Sequence, residues 1–263
     1  MIHIAEAPEA LFRQAMAAAL TPEGENEART QLHSLMGDLL ARRDLERSQR
    51  LQNMLLACRL RLRALQNIVL CAREEEDFLP CLCELREYTQ DLCAAANTLL
   101  TPLGRQVRFE APEERMEAFC APRDIAWLVL ELVCNCALHC PGEEIAVSLR
   151  PPAASPPRPR GKKRPRAYTL TVECDGPLDL EALHTAGLRE GSGVAAMRRI
   201  AWLHHGALLW LERDDKSVAA LRLGGWHPAT GITGAYDPPD YVELLGDPCS
   251  PVYIALAPAV GSL

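Results

Sequence analysis

The sequence has few aromatic residues, no long apolar run and no excess of positive charge. Aromatic side chains make up only 5% of its 263 residues, so the core must consist mainly of Leu, Ala, Val and Cys. No run of about 18 apolar residues is present, which excludes a membrane-spanning helix. The formal net charge of −7 argues against a general nucleic-acid-binding protein, although a local basic patch is compatible with it.

The N-terminal residues 1–20 also lack the basic start of a secretory signal, and they carry acids at Glu6 and Glu9. We therefore expect a cytoplasmic protein with reduced cysteines. Most of the 11 cysteines fall inside apolar helical patterns, where Cys behaves as a small hydrophobe. The densest clusters, residues 81–83 and 134–140, lack the CxxC spacing of zinc sites, so we expect no metal–thiolate site.

The first half of the chain has a helical pattern. After a leader over residues 1–26, apolar residues recur at spacings of three and four over residues 45–73, and a second helix follows up to Thr101 and Pro102. This pattern predicts an antiparallel helical hairpin within residues 27–102. Such a hairpin usually dimerises through its apolar seam, so we expect a homodimer.

The second half, residues 103–225, has a mixed pattern. Its order of strand, helix, strand, strand, helix, strand and strand predicts an α/β sandwich, so the whole chain is α+β. The two middle strands are joined by a basic, proline-rich loop over residues 151–166, which we interpret as solvated rather than as a binding patch. Residues 226–263 form an apolar extension, expected to dock on its own domain or to bind a partner.

A predicted buried helix over residues 124–140 carries two polar side chains in its middle. Asp124 is a suitable N-cap, and Glu131 and Asn135, four residues apart, point in the same direction. Burying a carboxylate and an amide without partners costs several kcal/mol, order of magnitude. We therefore expect a ligand to face them.

Three segments in this half resemble a known family. They are the helix with Asn135 and His139, the segment Asp175-Gly176-Pro177 after a strand, and Gly191-Ser192-Gly193 opening a helix. Their order and spacing over residues 105–223 resemble the ATP-binding domain of sensor histidine kinases, within the gyrase, Hsp90, histidine kinase and MutL superfamily. The helical hairpin before them resembles the dimerisation region of such kinases.

The resemblance implies ATP and Mg²⁺ as cofactors. Asn135 matches the asparagine that coordinates Mg²⁺, and a single amide oxygen suffices because Mg²⁺ keeps waters and bridges to phosphates. Glu131 matches a position where other branches have a glutamate that activates water. His139 matches the end of the same motif near the phosphates. The turn Gly191-Ser192-Gly193 matches a glycine box whose backbone N–H groups bind phosphate.

The adenine contact has two alternatives. Aligning Gly176 and Pro177 with the family's glycine box puts Cys174 at the position of its adenine-binding Asp, whereas choosing Asp175 as that contact shifts the register by one. The segment from Pro177 to Gly191 matches the family's lid but contains no Phe.

The resemblance also implies a phosphoacceptor histidine and a response-regulator partner. His33, followed by Ser34 rather than an acid, is the candidate, although we favour its interpretation as a surface or partly packed histidine. Three functions stay open: a histidine kinase in two-component signal transduction, an inactive dimeric interaction module, and a protein Ser/Thr kinase of the anti-sigma type. Enzymatic activity is therefore left undecided.

Overall fold

The computed structural model describes residues 30, 34, 49–151, 167–177, 179–189, 191–223 and 235–261. We number the helices and strands within these ranges in chain order. They are α1 (Gln49–Ala72), β1 (Cys81–Glu84), α2 (Leu85–Leu100), β2 (Gln106–Glu110), β3 (Glu117–Cys120), α3 (Pro122–His139), β4 (Glu144–Arg150), β5 (Tyr168–Asp175), α4 (Leu180–Leu188), α5 (Gly193–Leu203), β6 (Ala207–Arg213), β7 (Lys216–Leu223), α6 (Tyr241–Gly246), α7 (Pro251–Ala255) and α8 (Ala257–Val260).

The main sheet has five strands in the order β2-β4-β5-β7-β6, with β2 and β4 parallel and the other pairs antiparallel. Its strands alternate as predicted: Val147 lies opposite Val172, which lies opposite Ala219, and all three are buried on one face. Helix α3 covers this face at β4 and β5, and α5 covers it at β6 and β7. The predicted α+β fold class is confirmed.

Helix α2 differs from its predicted role as an arm of a helical hairpin. It packs against β2, α3 and α6, and its buried residues Leu92, Ala96 and Leu100 belong to the core of the α/β layer. The small β1–β3 ribbon, which we did not predict, has one strand before this helix and one after it. Helix α1 instead lies on α5 and α7. The amphipathic pattern of α2 is therefore explained by the sheet rather than by a second helical arm.

Helix α1 joins α3 through three polar pairs. The guanidinium of Arg63 binds Glu131, the amide oxygen of Asn67 accepts from the indole N–H of Trp127 at 3.0 Å, and Arg73 binds Asp124. Asp124 was predicted to be an N-cap, but the helix begins two residues earlier, after Ala121. Its carboxylate accepts from Nη1 of Arg73 at 2.7 and 2.8 Å instead.

The C-terminal segment docks on its own domain, which is one of the two outcomes expected for the apolar extension. Val252, Ala255 and Leu256 are fully buried in the common core. Helix α7 lies between α1 and α3, and α6 lies on α2. Asp240 and Glu243 begin α6 with reciprocal hydrogen bonds to each other's backbone N–H, a capping box. The extension thus completes the packing around α3.

No helix among the described residues is long and apolar enough to cross a membrane. His33 and most of the basic loop 151–166 lie outside the described residues, as does most of the first 48 residues.

Candidate functional site

A cavity of about 510 Å³ lies between the last turns of α3, the end of β5, helix α4 and the start of α5. This volume is within the range of small-molecule sites. Its lining combines apolar side chains with polar ones, contributed by helices and strands of the α/β layer and by α1. The lining residues are Arg63, Leu132, Asn135, Cys136, His139, Cys140, Val172, Cys174, Pro177, Asp179, Ala182, Leu183, Ala186, Ser192, Gly193, Val194, Trp210, Ser217, Val218 and Ala219.

Helix α3 supplies the predicted polar residues at its C-terminal end. Asn135 and His139, one turn apart, both line the cavity together with Leu132. Asn135 is half-buried and His139 is exposed, so both side chains can meet a ligand or solvent. The structure therefore places two of the three polar residues of this motif where the sequence predicted them.

Glu131 does not face the cavity, which corrects the expectation that it meets a nucleotide. Its carboxylate is fully buried and accepts from Nε and Nη2 of Arg63 at 2.7 and 2.6 Å. Burial raises the pKa of the Glu131 carboxyl, while the positive charge of Arg63 acts in the opposite direction. A bidentate guanidinium uses both carboxylate oxygens, so Glu131 has a structural partner and is not placed to activate water.

The turn before α5 has the shape of an anion-binding helix start. Gly191 has φ +74°, and Ser192 caps the helix by accepting from the N–H of Ala195 at 3.1 Å. A Cβ at Gly193 would lie 2.5 Å from Oε2 of Glu131, so a larger residue would displace the buried carboxylate. Ser192 and Gly193 line the cavity, whereas Gly191 supports the turn from outside it. The N-terminus of this 11-residue helix, where backbone N–H groups are free of intrahelical partners, therefore lies at the cavity.

The two alternatives for the adenine contact, Cys174 and Asp175, lie differently in the structure. Cys174 is buried and lines the cavity, whereas the side chain of Asp175 is 61% exposed and lies 3.6 Å from Nζ of Lys216. Gly176 has φ +118°, and its carbonyl accepts from Ser217 Oγ at 2.8 Å. Asp175 and Gly176 are therefore not lining residues, which corrects our assignment of both to the site. Of the two alternatives, only the cysteine lines the cavity.

No protein-family model matches the chain, and no curated protein matches it. Solved structures do match. Acinetobacter baumannii histidine kinase AdeS superposes with a TM-score of 0.51 at 14% identity, over 76% of this chain and 96% of that chain. Full-length ShkA in complex with AMPPNP superposes with a TM-score of 0.53 at 14% identity, over 83% of this chain and 46% of that chain.

The chain has a histidine-kinase-like fold. Identities this low establish the fold and not the activity. The matches cover 76% and 83% of this chain, so the predicted histidine-kinase-like fold is confirmed at the level of architecture.

Sequence reasoning missed three residues that line the site of this histidine-kinase-like fold. Arg63 arrives from α1 and Trp210 from β6, where its ring lies 5.3 Å from the guanidinium carbon of Arg198. Asp179 begins α4 by accepting from the N–H of Ala182 at 2.8 Å. Asp179 is the one carboxylate among the described lining residues. The position of Asp179 as an N-cap before an apolar run could have been predicted from the sequence. The contact of Arg63 with the cavity could not, because Arg63 lies on a distant helix.

Sequence reasoning also did not group Cys136, Cys140 and Cys174. Cys136 and Cys140 are one helical turn apart and Cys174 is 34 residues beyond, on β5. Their sulfur atoms all lie within 4.8 Å of one another, and Cys140 and Cys174 are paired as a disulfide. Burial raises the pKa of the Cys136 thiol to about 12, with the charge of Arg105 opposing this. The cavity thus has a cysteine cluster (Cys136, Cys140 and Cys174) at its wall.

Proposed function

We propose that this chain binds ATP with Mg²⁺ in the cavity, as a histidine-kinase-like module of a two-component signalling protein. The observation that carries the proposal is the position of Asn135, whose amide lines the same cavity as the N-terminus of α5. An amide oxygen opposite a helix start suits a metal-bound triphosphate, because the metal takes oxygen ligands and the helix N–H groups take phosphate oxygens.

The phosphate end of the cavity fits this ligand. Asn135 offers one oxygen to Mg²⁺, and Ser192 and Gly193 begin the helix beside it. Arg63 adds a guanidinium at the same end, although Glu131 already neutralises its charge. When bound, Mg²⁺ would neutralise part of the triphosphate charge, and the protein groups would orient the phosphates. The solved ShkA complex contains AMPPNP, an ATP analogue, which is consistent with this assignment.

The end of the cavity that would hold the adenine base offers fewer specific contacts. Val172, Leu183 and Ala219 supply apolar walls, and Trp210 adds an aromatic ring. Cys174 replaces the carboxylate that would accept from the adenine amino group, so recognition of the base rests on packing and on Asp179. A purely apolar slot discriminates similar ligands by only about 1–3 kcal/mol. We therefore expect ATP to be preferred over GTP by no more than about 200-fold.

The functional consequence of binding has two candidates. An active kinase would transfer the γ-phosphate to a histidine such as His33 and then to a response regulator, within a homodimer. The serine that follows His33 and the altered first glycine box favour the second candidate, an inactive dimeric module that signals by shape. The pairing of Glu131 with Arg63 bears only on kinases that use this carboxylate. The same pairing removes the main support for a Ser/Thr kinase of the anti-sigma type.

Calorimetric titration of the full chain with ATP, in the presence and absence of Mg²⁺, tests the binding proposal. We expect Mg²⁺-dependent binding that is lost in Asn135→Ala. Leu138→Ala is the matched control, because Leu138 is on the same turn of α3, is 38% exposed and is not among the lining residues. Equal binding by the wild type and Asn135→Ala, or no binding at millimolar ATP, would contradict the proposal.

Incubation with γ-labelled ATP separates the two functional candidates. Incorporation of label that is lost in His33→Ala supports a histidine kinase, whereas binding without hydrolysis or labelling supports the inactive module. Hydrolysis that depends on Asn135 would exclude the inactive module.

A further inference from the structure

The cysteine cluster brings three thiol side chains from two elements to one point of the cavity wall. Cys136 is in the last turn of α3, and Cys140 ends that helix by donating its backbone N–H to the carbonyl of Cys136 at 3.0 Å. Cys174 lies on β5, next to Ile145 of β4 in the sheet. The Cα atoms of Cys140 and Cys174 are 6.4 Å apart. All three residues line the cavity, so a small ion has access to them.

We infer that Cys136, Cys140 and Cys174 in their reduced form bind one Zn²⁺ ion at the cavity wall. A Zn–S distance of about 2.3 Å places sulfur atoms about 3.8 Å apart around a tetrahedral ion. The three sulfur atoms already lie within 4.8 Å of one another, so rotation of the side chains is enough to reach this geometry. Among divalent ions, thiolates select soft or borderline metals such as zinc and reject Mg²⁺.

Burial opposes the thiolate form of Cys136, so the charge of the bound ion must supply most of the stabilisation, with a smaller contribution from a nearby arginine. Arg105 is close enough to Cys136 for its charge to act on the thiol, and it is held there by a hydrogen bond from its guanidinium to the carbonyl of Gly142. Three protein ligands leave one tetrahedral position, which faces the cavity. His139 also lines the cavity, but its ring nitrogens are not among the ligand atoms that lie within 4.8 Å of one another, so water or a cavity ligand would take the fourth position.

The disulfide between Cys140 and Cys174 is the oxidised form of the same cluster. Reduction by a phosphine or a thiol adds two electrons and two protons and converts the disulfide into two thiols. Zinc then displaces the protons of the three thiols as the thiolates bind it. The oxidised protein keeps only Cys136 as a free thiol of the cluster, so it has too few ligands for a stable zinc site. The inference does not depend on nucleotide binding.

The test uses the full chain after reduction with a phosphine and removal of bound metal. We would titrate it with Zn²⁺ and with Co²⁺ anaerobically, and count bound metal by elemental analysis and native mass spectrometry. We expect one ion per chain and a sulfur-to-cobalt charge-transfer band in the near ultraviolet. Cys136→Ser, Cys140→Ser and Cys174→Ser should each weaken binding by more than the roughly 10–100-fold seen when an outer-shell partner is lost.

Cys134→Ala is the matched control, because Cys134 is on the same helix but fully buried and outside the cavity lining. It should bind zinc as the wild type does. Circular dichroism checks that each variant is folded, and alkylation of the metal-free and zinc-loaded wild type gives a second measurement, since bound zinc should protect three thiols. Absence of binding by the reduced wild type, or equal binding by the Cys174→Ser variant, would overturn the inference.

Failure of the zinc inference and failure of the nucleotide proposal are distinguishable. Loss of metal in the cysteine variants leaves Asn135 intact, and Asn135→Ala leaves all three thiols in place. Zinc retained by Asn135→Ala supports two separate sites, whereas loss of zinc in that variant would contradict the assignment of ligands.

Discussion

The two ends of helix α3 carry similar polar residues in opposite circumstances. Toward its start, Asp124, Trp127 and Glu131 are buried, and each has a partner on α1. Toward its end, Asn135 and His139 line a cavity. A polar residue in an apolar helix therefore does not by itself indicate a ligand, because a neighbouring helix can satisfy it as well as a nucleotide can.

The comparison predicts that the partnered end governs stability and the cavity end governs binding. Four changes test this prediction, and their expected effects on stability decrease in the order given below.

Arg63→Met should have the largest effect. It removes the partner of a fully buried carboxylate, and breaking a buried ion pair in this way destabilises by about 3–5 kcal/mol. Denaturant unfolding measures the change. Arg108→Met is the control, because Arg108 is paired with Glu110 at the exposed surface and should change the free energy of unfolding by less than about 0.5 kcal/mol.

The double variant Arg63→Met with Glu131→Leu sharpens this result. Removing both charges leaves no unpaired carboxylate, so most of the lost stability should return. A small loss in Arg63→Met alone, below about 1 kcal/mol, would show that the pair is hydrated and that Glu131 is open to the cavity.

Acidification should have the next largest effect, through His204. This buried residue accepts from the N–H of Ala121, just before α3, and burial lowers its pKa from the ordinary 6.5 to about 4. Between these values the unfolded chain binds a proton that the folded chain does not. The contribution to stability is present above pH 6.5 and is lost as the pH falls toward 4, by roughly 3 kcal/mol.

His204→Gln should flatten this part of the pH–stability curve, as measured by denaturant unfolding at pH 7, 5.5 and 4. His139→Ala, at the exposed end of α3, should leave the slope as it is in the wild type. A wild-type slope in His204→Gln would show that folding does not lower the pKa of His204.

Trp127→Phe should have a moderate effect. It removes the indole N–H that donates to Asn67 and leaves a buried amide oxygen without that donor, at a cost of about 1–3 kcal/mol. Trp202→Phe is the control, since Trp202 is half exposed and a phenyl ring still packs under Arg199. The thermal midpoint of unfolding distinguishes them. Equal shifts in both variants would indicate lost ring volume rather than a lost hydrogen bond.

Asn135→Ala and His139→Ala should have the smallest effect on stability, within about 0.5 kcal/mol, because neither side chain has a buried partner among the residues that the structure describes. We expect both variants to weaken ligand binding instead. If either variant lost more than about 2 kcal/mol of its free energy of unfolding, that residue would have a structural role, and the two ends of α3 would not differ as we predict.

Much of the architecture could be predicted from sequence patterns. The alternation in β4 and β5 and the glycine that opens α5 are local signals, and the order of the predicted elements matches the structure. The ribbon of β1 and β3 was missed because each strand has only four residues. Helix α2 was assigned to a hairpin because an amphipathic face does not indicate whether a helix or a sheet will cover it.

The sequence by itself determined the α+β order and the position of Asn135 with His139 on one helix and of Ser192 with Gly193 at the start of another, because these depend on short-range spacing within single elements. That the two pairs share one site was implied only by the family resemblance. Only the tertiary structure decided that Arg63 takes Glu131 away from the cavity, that Cys174 rather than Asp175 lines it, and that three cysteines meet at its wall. Those outcomes depend on contacts between residues 34 and 68 positions apart, and on which side chain turns inward where a strand ends. No local sequence pattern encodes these long-range contacts or the orientation of a side chain at the end of a strand.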